Sequence, residues 1–253
     1  MTRAPIALVI GLAITGCGRS KSAPPPPAVG PVPGAATQVI TAIVPTWDAT
    51  VAELRLWIRQ GDGWVLSEGP WPGVIGKAGA AWGSGVHGTG APAGREGPVK
   101  REGDGKTPAG VFAVRKAYGY GETPPAGGEL PYERVDASWK CVDDPASDRY
   151  TSIVNASEVD VDWKTAEDMR RADDLYEWVI DLAHNPEATP GGGSCIFLHV
   201  WSGPRSTTVG CTAMAEDKLH RLLGQLDRGA HYVLLPRADY DALAPAWGLP
   251  PSS

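Results

Sequence analysis

Residues 195–201 form a short apolar run with the sequence Cys-Ile-Phe-Leu-His-Val-Trp. Glycines at 191–193 precede this run, and a Ser-Gly-Pro turn at 202–204 follows it. A run of this length between turn residues is typical of a buried β-strand. Since side chains alternate across a strand, one face is predicted to carry Cys195, Phe197, His199 and Trp201. The strand therefore presents a histidine close to its end, just before a loop.

The sequence on either side of this run predicts further short strands and one helix. Alternating or β-branched residues predict strands at residues 39–44, 54–59, 64–66, 107–114, 175–183 and 232–236. Residues 54–66 form a hairpin around a Gly-Asp-Gly turn, and residues 175–183 are predicted to be an edge-like strand with one wet face. The one predicted helix runs from Glu216 to Asp227, where leucines recur at helical spacing. The fold class is therefore mainly β, a sandwich or barrel with one packed helix after Cys211.

The composition limits the kind of protein this is. The chain has 253 residues, of which 32 are Gly and 24 are Pro, so the fold is rich in turns. Hydrophobic residues make up 42% of the chain, which is enough for a core, and the length favours one domain, predicted at residues 37–249. The net charge is −6 and no basic stripe occurs, which excludes nucleic acid as an expected partner.

The N-terminus has the pattern of an export signal. Arg3 is followed by an apolar run of 11 residues at 4–14, which is too short to span a membrane as a helix. Residues 1–16 are predicted to be a signal peptide. The closing Ile-Thr-Gly-Cys resembles a bacterial lipobox, so Cys17 is predicted to be lipidated; the alternative is an ordinary signal peptide with a chance cysteine. Residues 17–36 are rich in proline and predict an extended linker.

A second residue with reactive chemistry follows the strand after a short loop. Cys211 comes directly after Gly210, where the missing side chain lets a ligand approach the backbone closely. If Cys211 meets His199 in space, the two form a thiolate–imidazolium pair, the nucleophile and base of acyl transfer. Taken alone, a single His near a single Cys belongs more often to a packed core than to a catalytic site.

The wider pattern is similar to that of a known enzyme family. His199, a loop of eight residues, and Thr208-Val209-Gly210-Cys211 resemble the active-site motif of the L,D-transpeptidase catalytic domain, the YkuD-like family. In that family a strand His is followed by Ser/Thr-x-Gly-Cys. Residues 106–112 resemble the family's Thr-Pro-x-Gly-x-Phe turn and strand. The resemblance also includes residues 139–150, residues 166–185 and the helix after the cysteine, and its most specific block is residues 193–214.

This resemblance implies a YkuD-like fold and a secreted cysteine transpeptidase acting on peptidoglycan stem peptides. By position in the motif, Cys211 is the nucleophile, His199 the general base and Thr208 a supporting hydroxyl. The N–H groups of Gly210 and Cys211 are implied oxyanion donors, and Trp201 is predicted to contact substrate. The thiolate attacks a tetrapeptide donor, D-Ala leaves, and an amine of a second stem resolves the thioester. The family needs no cofactor, and the sequence contains no His-x-x-x-His or Cys-x-x-Cys spacing, so no metal site is predicted.

The sequence departs from the family after the nucleophile and elsewhere resembles a less typical branch. Most members continue Gly-Cys-x-Arg, whereas here Thr-Ala-Met follows at residues 212–214. The branch carries Cys-x-Asp-Asp-Pro, here residues 141–145. Asp143 and Asp144 are predicted to bind the ammonium group of a diaminopimelate side chain. The alternative is a turn whose carboxylates cap the backbone or are solvated.

The cysteine count is odd once a lipidated Cys17 is set aside. One of the three remaining cysteines is then unpaired or reactive. Because the family resemblance places Cys141 near the cleft, a disulfide between Cys141 and Cys195 is predicted, and Cys211 stays free.

Three functions remain open on the sequence alone. The first is an L,D-transpeptidase, and the second is an L,D-carboxypeptidase, in which water resolves the same thioester. The third is a non-catalytic lipoprotein that binds the cell wall, although a degraded site would be expected to lose His199, Gly210 or Cys211. In each case the protein is expected at the periplasmic side of the cell envelope, where the N-terminal lipid anchors it to a membrane. This is the outer membrane if the source is Gram-negative.

Overall fold

The computed structural model describes residue 1 and residues 30–252; the predicted signal peptide, Cys17 and most of the predicted linker lie outside the described residues. The first strands in chain order are β1 (Gln38–Val44), β2 (Val51–Gln60), β3 (Gly63–Val74), β4 (Ala80–Trp82), β5 (Ser84–Gly85), β6 (Gly88–Thr89), β7 (Thr107–Gly119) and β8 (Tyr132–Arg134). They are followed by β9 (Trp139–Val142), β10 (Ile153–Asn155), β11 (Ala166–Asp168), β12 (Trp178–Leu182), β13 (Phe197–Val200), β14 (Thr212–Met214), α1 (Glu216–Leu223), β15 (Ala230–Pro236) and α2 (Arg237–Trp247).

Eight of these strands close into a barrel. Neighbours pair in the order β12, β13, β14, β3, β2, β1, β15 and β7, and β7 pairs back onto β12. The pairs β13–β14 and β1–β15 are parallel. The other pairs of the ring are antiparallel, and β4 and β8 join β7 as parallel additions. The main core includes Ile40, Leu56, Phe112, Leu198 and Tyr232.

A second, smaller core lies against the outer face of the barrel. The strands β10, β9 and β11 form an antiparallel sheet in that order. Cys141 on β9 packs together with Val179 of β12, Phe197 of β13 and Cys211. The sulfur atoms of Cys141 and Cys195 are bonded, and the two Cα atoms lie 6.0 Å apart. The small sheet is therefore fixed covalently to the segment that leads into β13.

The mainly β class is confirmed, and so are the predicted hairpin of β2 and β3 and the strands β1, β7, β13 and β15. The helix α1 is shorter than predicted, because it ends at Leu223 before Gly224, although Leu226 still packs in the core. A second helix, α2, was not predicted. It contains Pro245 and lacks a clear apolar stripe, so its sequence does not have the pattern of an amphipathic helix.

The prediction of an edge-like strand with a wet face at residues 175–183 is wrong. The strand β12 pairs with β13 on one side and with β7 on the other. Asp181 is buried, and Arg115 of β7 forms an ion pair with it at 2.8 Å between Nε and Oδ2. A buried carboxylate needs such a partner. The partner lies far away in the sequence, so alternation of polar and apolar residues cannot reveal it.

The folded domain begins before residue 37. Val32 and Ala36, which lie within the predicted linker, are buried in the main core. Within residues 30–252, no helix has the length and apolar character needed to cross a membrane.

Candidate active site

The pairing of β13 with β14 places the predicted nucleophile and base on one face of the barrel. In this parallel pair Leu198 lies opposite Thr212, and His199 lies opposite Ala213. By continuation of this register, Cys211 is level with Phe197. Leu198 faces the main core, so the alternate residues Phe197, His199 and Cys211 face outward. Two short strands thus bring a thiol and an imidazole that are twelve residues apart to the same surface.

Both side chains line one cavity of about 240 Å³. Its wall also contains the predicted residues Thr208 and Trp201, together with Tyr176, Arg171 and Val209. Tyr176 and Arg171 were not identified from the sequence. Tyr176 lies two residues before β12, and its ring packs edge-on against the imidazole of His199 with centroids 5.1 Å apart.

A backbone carbonyl orients the imidazole of His199. Its Nδ1 lies 2.7 Å from the carbonyl oxygen of Val200. Since a carbonyl only accepts, Nδ1 carries the proton and Nε2 is left as the basic nitrogen. Burial lowers the pKa of His199 to about 4, and the hydrogen bond to Val200 opposes this only in part. The imidazole is therefore neutral near pH 7, and its Nε2 carries no proton.

The thiol of Cys211 is buried and also neutral. The N–H of Phe197 donates to Sγ at 3.4 Å, and the thiol donates to the carbonyl oxygen of Cys195 at 3.4 Å. Burial raises the pKa of Cys211, and the carboxylate of Glu167 raises it further. The expected thiolate–imidazolium pair is therefore not the resting state, because both groups are too buried to be charged. Cys211 is the one free cysteine among the described residues.

Two hydroxyl groups hold the backbone of Cys211, the predicted nucleophile. Thr208 donates its hydroxyl to the carbonyl oxygen of Cys211 at 2.6 Å, and Thr107 donates to the same oxygen at 3.1 Å. The N–H of Gly210, expected to be an oxyanion donor, donates instead to the hydroxyl oxygen of Thr208 at 3.2 Å. Thr107 was not singled out from the sequence, although it lies in the Thr-Pro-x-Gly motif that carries the family resemblance.

A second cavity, of about 250 Å³, lies against the other side of Cys211. Cys211 and Val209 line both cavities, so the two cavities adjoin at these residues. The second cavity is further lined by the carboxylates of Asp143, Glu167 and Glu102. Sequence reasoning missed Glu167, because nothing in residues 166–168 marks it. It reaches the site through the pairing of β11 with β9, where it lies opposite Cys141.

The two adjacent aspartates have different environments. Asp143 lines the second cavity. The carboxylate of Asp144 instead accepts the N–H groups of Ala146 at 2.9 Å and Lys164 at 2.8 Å. These backbone hydrogen bonds lower the pKa of Asp144. Asp144 thus lines neither cavity and has the turn-capping role that was the alternative to substrate binding.

A cysteine thiol and a histidine at one cavity are the two kinds of group that a thiol-dependent acyl transferase uses as nucleophile and base. Within residues 30–252, no three side chains of His, Cys, Asp or Glu are grouped so that they could hold a metal ion. The sequence matches the YkuD family, the L,D-transpeptidase catalytic domain, over residues 52–234, and the chain belongs to this family. Membership supports L,D-transpeptidase-type catalysis on peptidoglycan. A comparison with curated proteins and a comparison with solved structures each gave no match.

Proposed function

We propose that this chain is a secreted, lipid-anchored cysteine acyltransferase of the L,D-transpeptidase type. It acts on peptidoglycan stem peptides through a thioester on Cys211, with His199 as the general base. The cavity that His199 and Cys211 share carries the proposal, because a nucleophile and its base have to reach the same reacting carbonyl group.

The neutral resting state defines the first chemical step. As Sγ of Cys211 attacks the carbonyl carbon before the terminal D-Ala, Nε2 of His199 takes the thiol proton. The C–N bond then breaks, the same proton passes to the leaving amine, and the acyl group stays on sulfur. Since the pKa of His199 is lowered to about 4, the imidazolium is a strong acid and gives up this proton readily.

The second step regenerates the thiol. The amine of a second stem peptide attacks the thioester carbon, the C–S bond breaks, and a proton from the amine returns to sulfur through His199. Two cavities adjoin at Cys211, and this supports transfer over simple hydrolysis, because a donor and an acceptor would each have a cavity beside this residue. If water resolves the thioester instead, the enzyme is an L,D-carboxypeptidase.

The membrane anchor is a separate part of the proposal and rests on the sequence of residues 1–17. A lipid on Cys17 would hold the domain at the periplasmic side of the cell envelope. Wild-type protein is then expected to partition into detergent, and Cys17→Ser protein to become soluble or stay unprocessed. Labelled fatty acid on the Cys17→Ser protein would contradict the anchor.

The catalytic part is tested by incubating the full chain with purified tetrapeptide. The expected result is release of D-Ala, an acyl adduct on Cys211 and a cross-linked dimer, all measured by mass spectrometry. His199→Gln should slow the release by roughly 10²–10⁴-fold, the usual contribution of a general base. His220→Gln is the matched control, because His220 is exposed on α1 and lines neither cavity.

The products separate the alternatives. Tripeptide without dimer would support the carboxypeptidase. If wild-type protein gives neither D-Ala nor an adduct, the proposed catalysis is refuted and a wall-binding role remains.

A further inference from the structure

Cys195 has an unusual backbone conformation in the segment that leads into β13. Its φ is 54°, in the left-handed region that residues other than glycine seldom adopt. Gly191 and Gly193 in the same segment are also left-handed, but a glycine adopts such angles at no steric cost. A side chain in this conformation persists only where surrounding contacts hold it. The conformation of Cys195 therefore depends on a constraint from outside the segment.

The disulfide supplies this constraint. Cys195 is bonded to Cys141, which lies on β9, the central strand of the small sheet. On the barrel side, the N–H of Leu182 in β12 donates to the carbonyl oxygen of Ile196 at 3.2 Å. The backbone at Cys195 is thus fixed between a covalent bond on one side and a barrel strand on the other.

The carbonyl group of Cys195 contacts the thiol of Cys211. The thiol donates to this oxygen at 3.4 Å, and its sulfur accepts the N–H of Phe197 at 3.4 Å. The two contacts have opposite effects on the charge of the sulfur. A carbonyl oxygen stabilises only the protonated thiol, whereas an N–H group also stabilises a thiolate. A change in φ at Cys195 would turn its carbonyl away and remove the contact that favours the proton.

We infer that Cys195 is a positioning residue for Cys211 and that the disulfide acts on the thiol through it. The disulfide holds the backbone of Cys195 left-handed, and the carbonyl then keeps the thiol protonated and in one orientation. The inference rests on the proposed function, and it gives the disulfide a role at the thiol besides stabilising the fold. Without the disulfide, a residue other than glycine at position 195 favours other conformations by roughly five- to thirty-fold.

Two double variants of the full chain lack the disulfide and differ in the backbone freedom of residue 195. The glycine variant, Cys141→Ala/Cys195→Gly, adopts the left-handed conformation readily, and the alanine variant, Cys141→Ala/Cys195→Ala, disfavours it. Loosening of the small sheet is common to both, so a difference between them reports the backbone at residue 195. Ala188→Gly is the matched control, because Ala188 has a φ of 48° and lines neither cavity.

Alkylation of Cys211 by iodoacetamide at pH 8 measures the reactive thiolate without any substrate. The rate is followed through the mass of the peptide that contains Cys211. The alanine variant should react roughly five- to thirty-fold faster than the glycine variant, because its thiol has lost the acceptor that stabilises the protonated form. The glycine variant and Ala188→Gly should stay within about threefold of wild type. Equal rates for the two double variants overturn the role of Cys195.

Release of D-Ala tests the effect of positioning on catalysis. The alanine variant should have a kcat roughly five- to thirty-fold below that of the glycine variant. Its KM should stay within about twofold, because the substrate still fits the cavity while the sulfur is aimed at it less often. A loss in KM alone, or an equal loss in both double variants, overturns positioning and leaves the disulfide as a structural cross-link. If wild type releases no D-Ala, the proposed catalysis is refuted, and the alkylation rates still decide the contact between Cys195 and Cys211.

Circular dichroism establishes that each variant is folded. If either double variant does not fold, wild-type protein treated with a phosphine reductant takes its place, because reduction opens the disulfide without replacing a side chain. Reduction should then raise the alkylation rate of Cys211 by at least about fivefold. An unchanged rate in the reduced protein overturns the inference.

Discussion

Acylation of Cys211 should tolerate mild acid, because burial keeps His199 neutral. The pKa of His199 is lowered to about 4, whereas an exposed histidine titrates near about 6.5. At pH 5 these values leave about 90% and about 3% of the imidazole neutral, respectively. Since only the neutral form accepts the thiol proton, the fraction of active base at pH 5 differs roughly thirty-fold between the two cases.

The assay uses a carbapenem, a β-lactam of the kind that acylates enzymes of this family, and follows the mass of the adduct expected on the full chain between pH 4 and pH 8. The rate constant should fall less than twofold from pH 7 to pH 5, and the acid limb should be centred near the pKa of about 4. His220→Gln should give the same profile, and circular dichroism at each pH shows that the protein stays folded. An acid limb near pH 6.5, with roughly thirty-fold loss at pH 5, would refute the neutral buried base.

Three further predictions concern the thiol, the disulfide and the buried ion pair. Cys211→Ala should abolish the carbapenem adduct and change the free energy of unfolding by only about 1 kcal/mol; an adduct of unchanged yield would show that another residue is acylated. Replacing Cys141 and Cys195 together by Ala should lower the free energy of unfolding by at most about 4 kcal/mol, since they are 54 residues apart in sequence. Peptide mapping that finds Cys195 bonded to Cys211 would contradict the pairing. Arg115→Met should lower the free energy of unfolding by about 1.5–3 kcal/mol, measured by urea unfolding. Burial raises the pKa of Asp181 to about 6. The loss of unfolding free energy should therefore be greatest above pH 6, where Asp181 is charged. An equal loss at pH 4.5 would contradict this account.

Local patterns in the sequence predicted the barrel strands that carry the site. The run at residues 195–201 is apolar, short and bounded by turns, and these properties reflect its own burial rather than any distant contact. Local sequence also marks β1, through its β-branched residues, and the hairpin of β2 and β3, through the turn residues between the two strands. His199 and Cys211 could be paired because the loop between them is short and belongs to a family motif.

The parts that were missed depend on contacts between distant segments. Glu167 becomes part of the site only because β11 pairs with β9, and Tyr176 only because it packs against His199. The predicted charge states of His199 and Cys211, an imidazolium and a thiolate, were also wrong, because the sequence does not show how deeply the two side chains are buried. Desolvation is the largest influence on the pKa of each group, and it favours the neutral form of both.

The disulfide between Cys141 and Cys195 shares its buried cluster with a free thiol, that of Cys211. A thiolate in this position could attack the disulfide and shuffle which sulfurs are bonded, which would detach the small sheet from the barrel. Only the thiolate undergoes this exchange, and burial raises the pKa of Cys211. Protonation of the proposed nucleophile at rest therefore also prevents its exchange with the neighbouring disulfide.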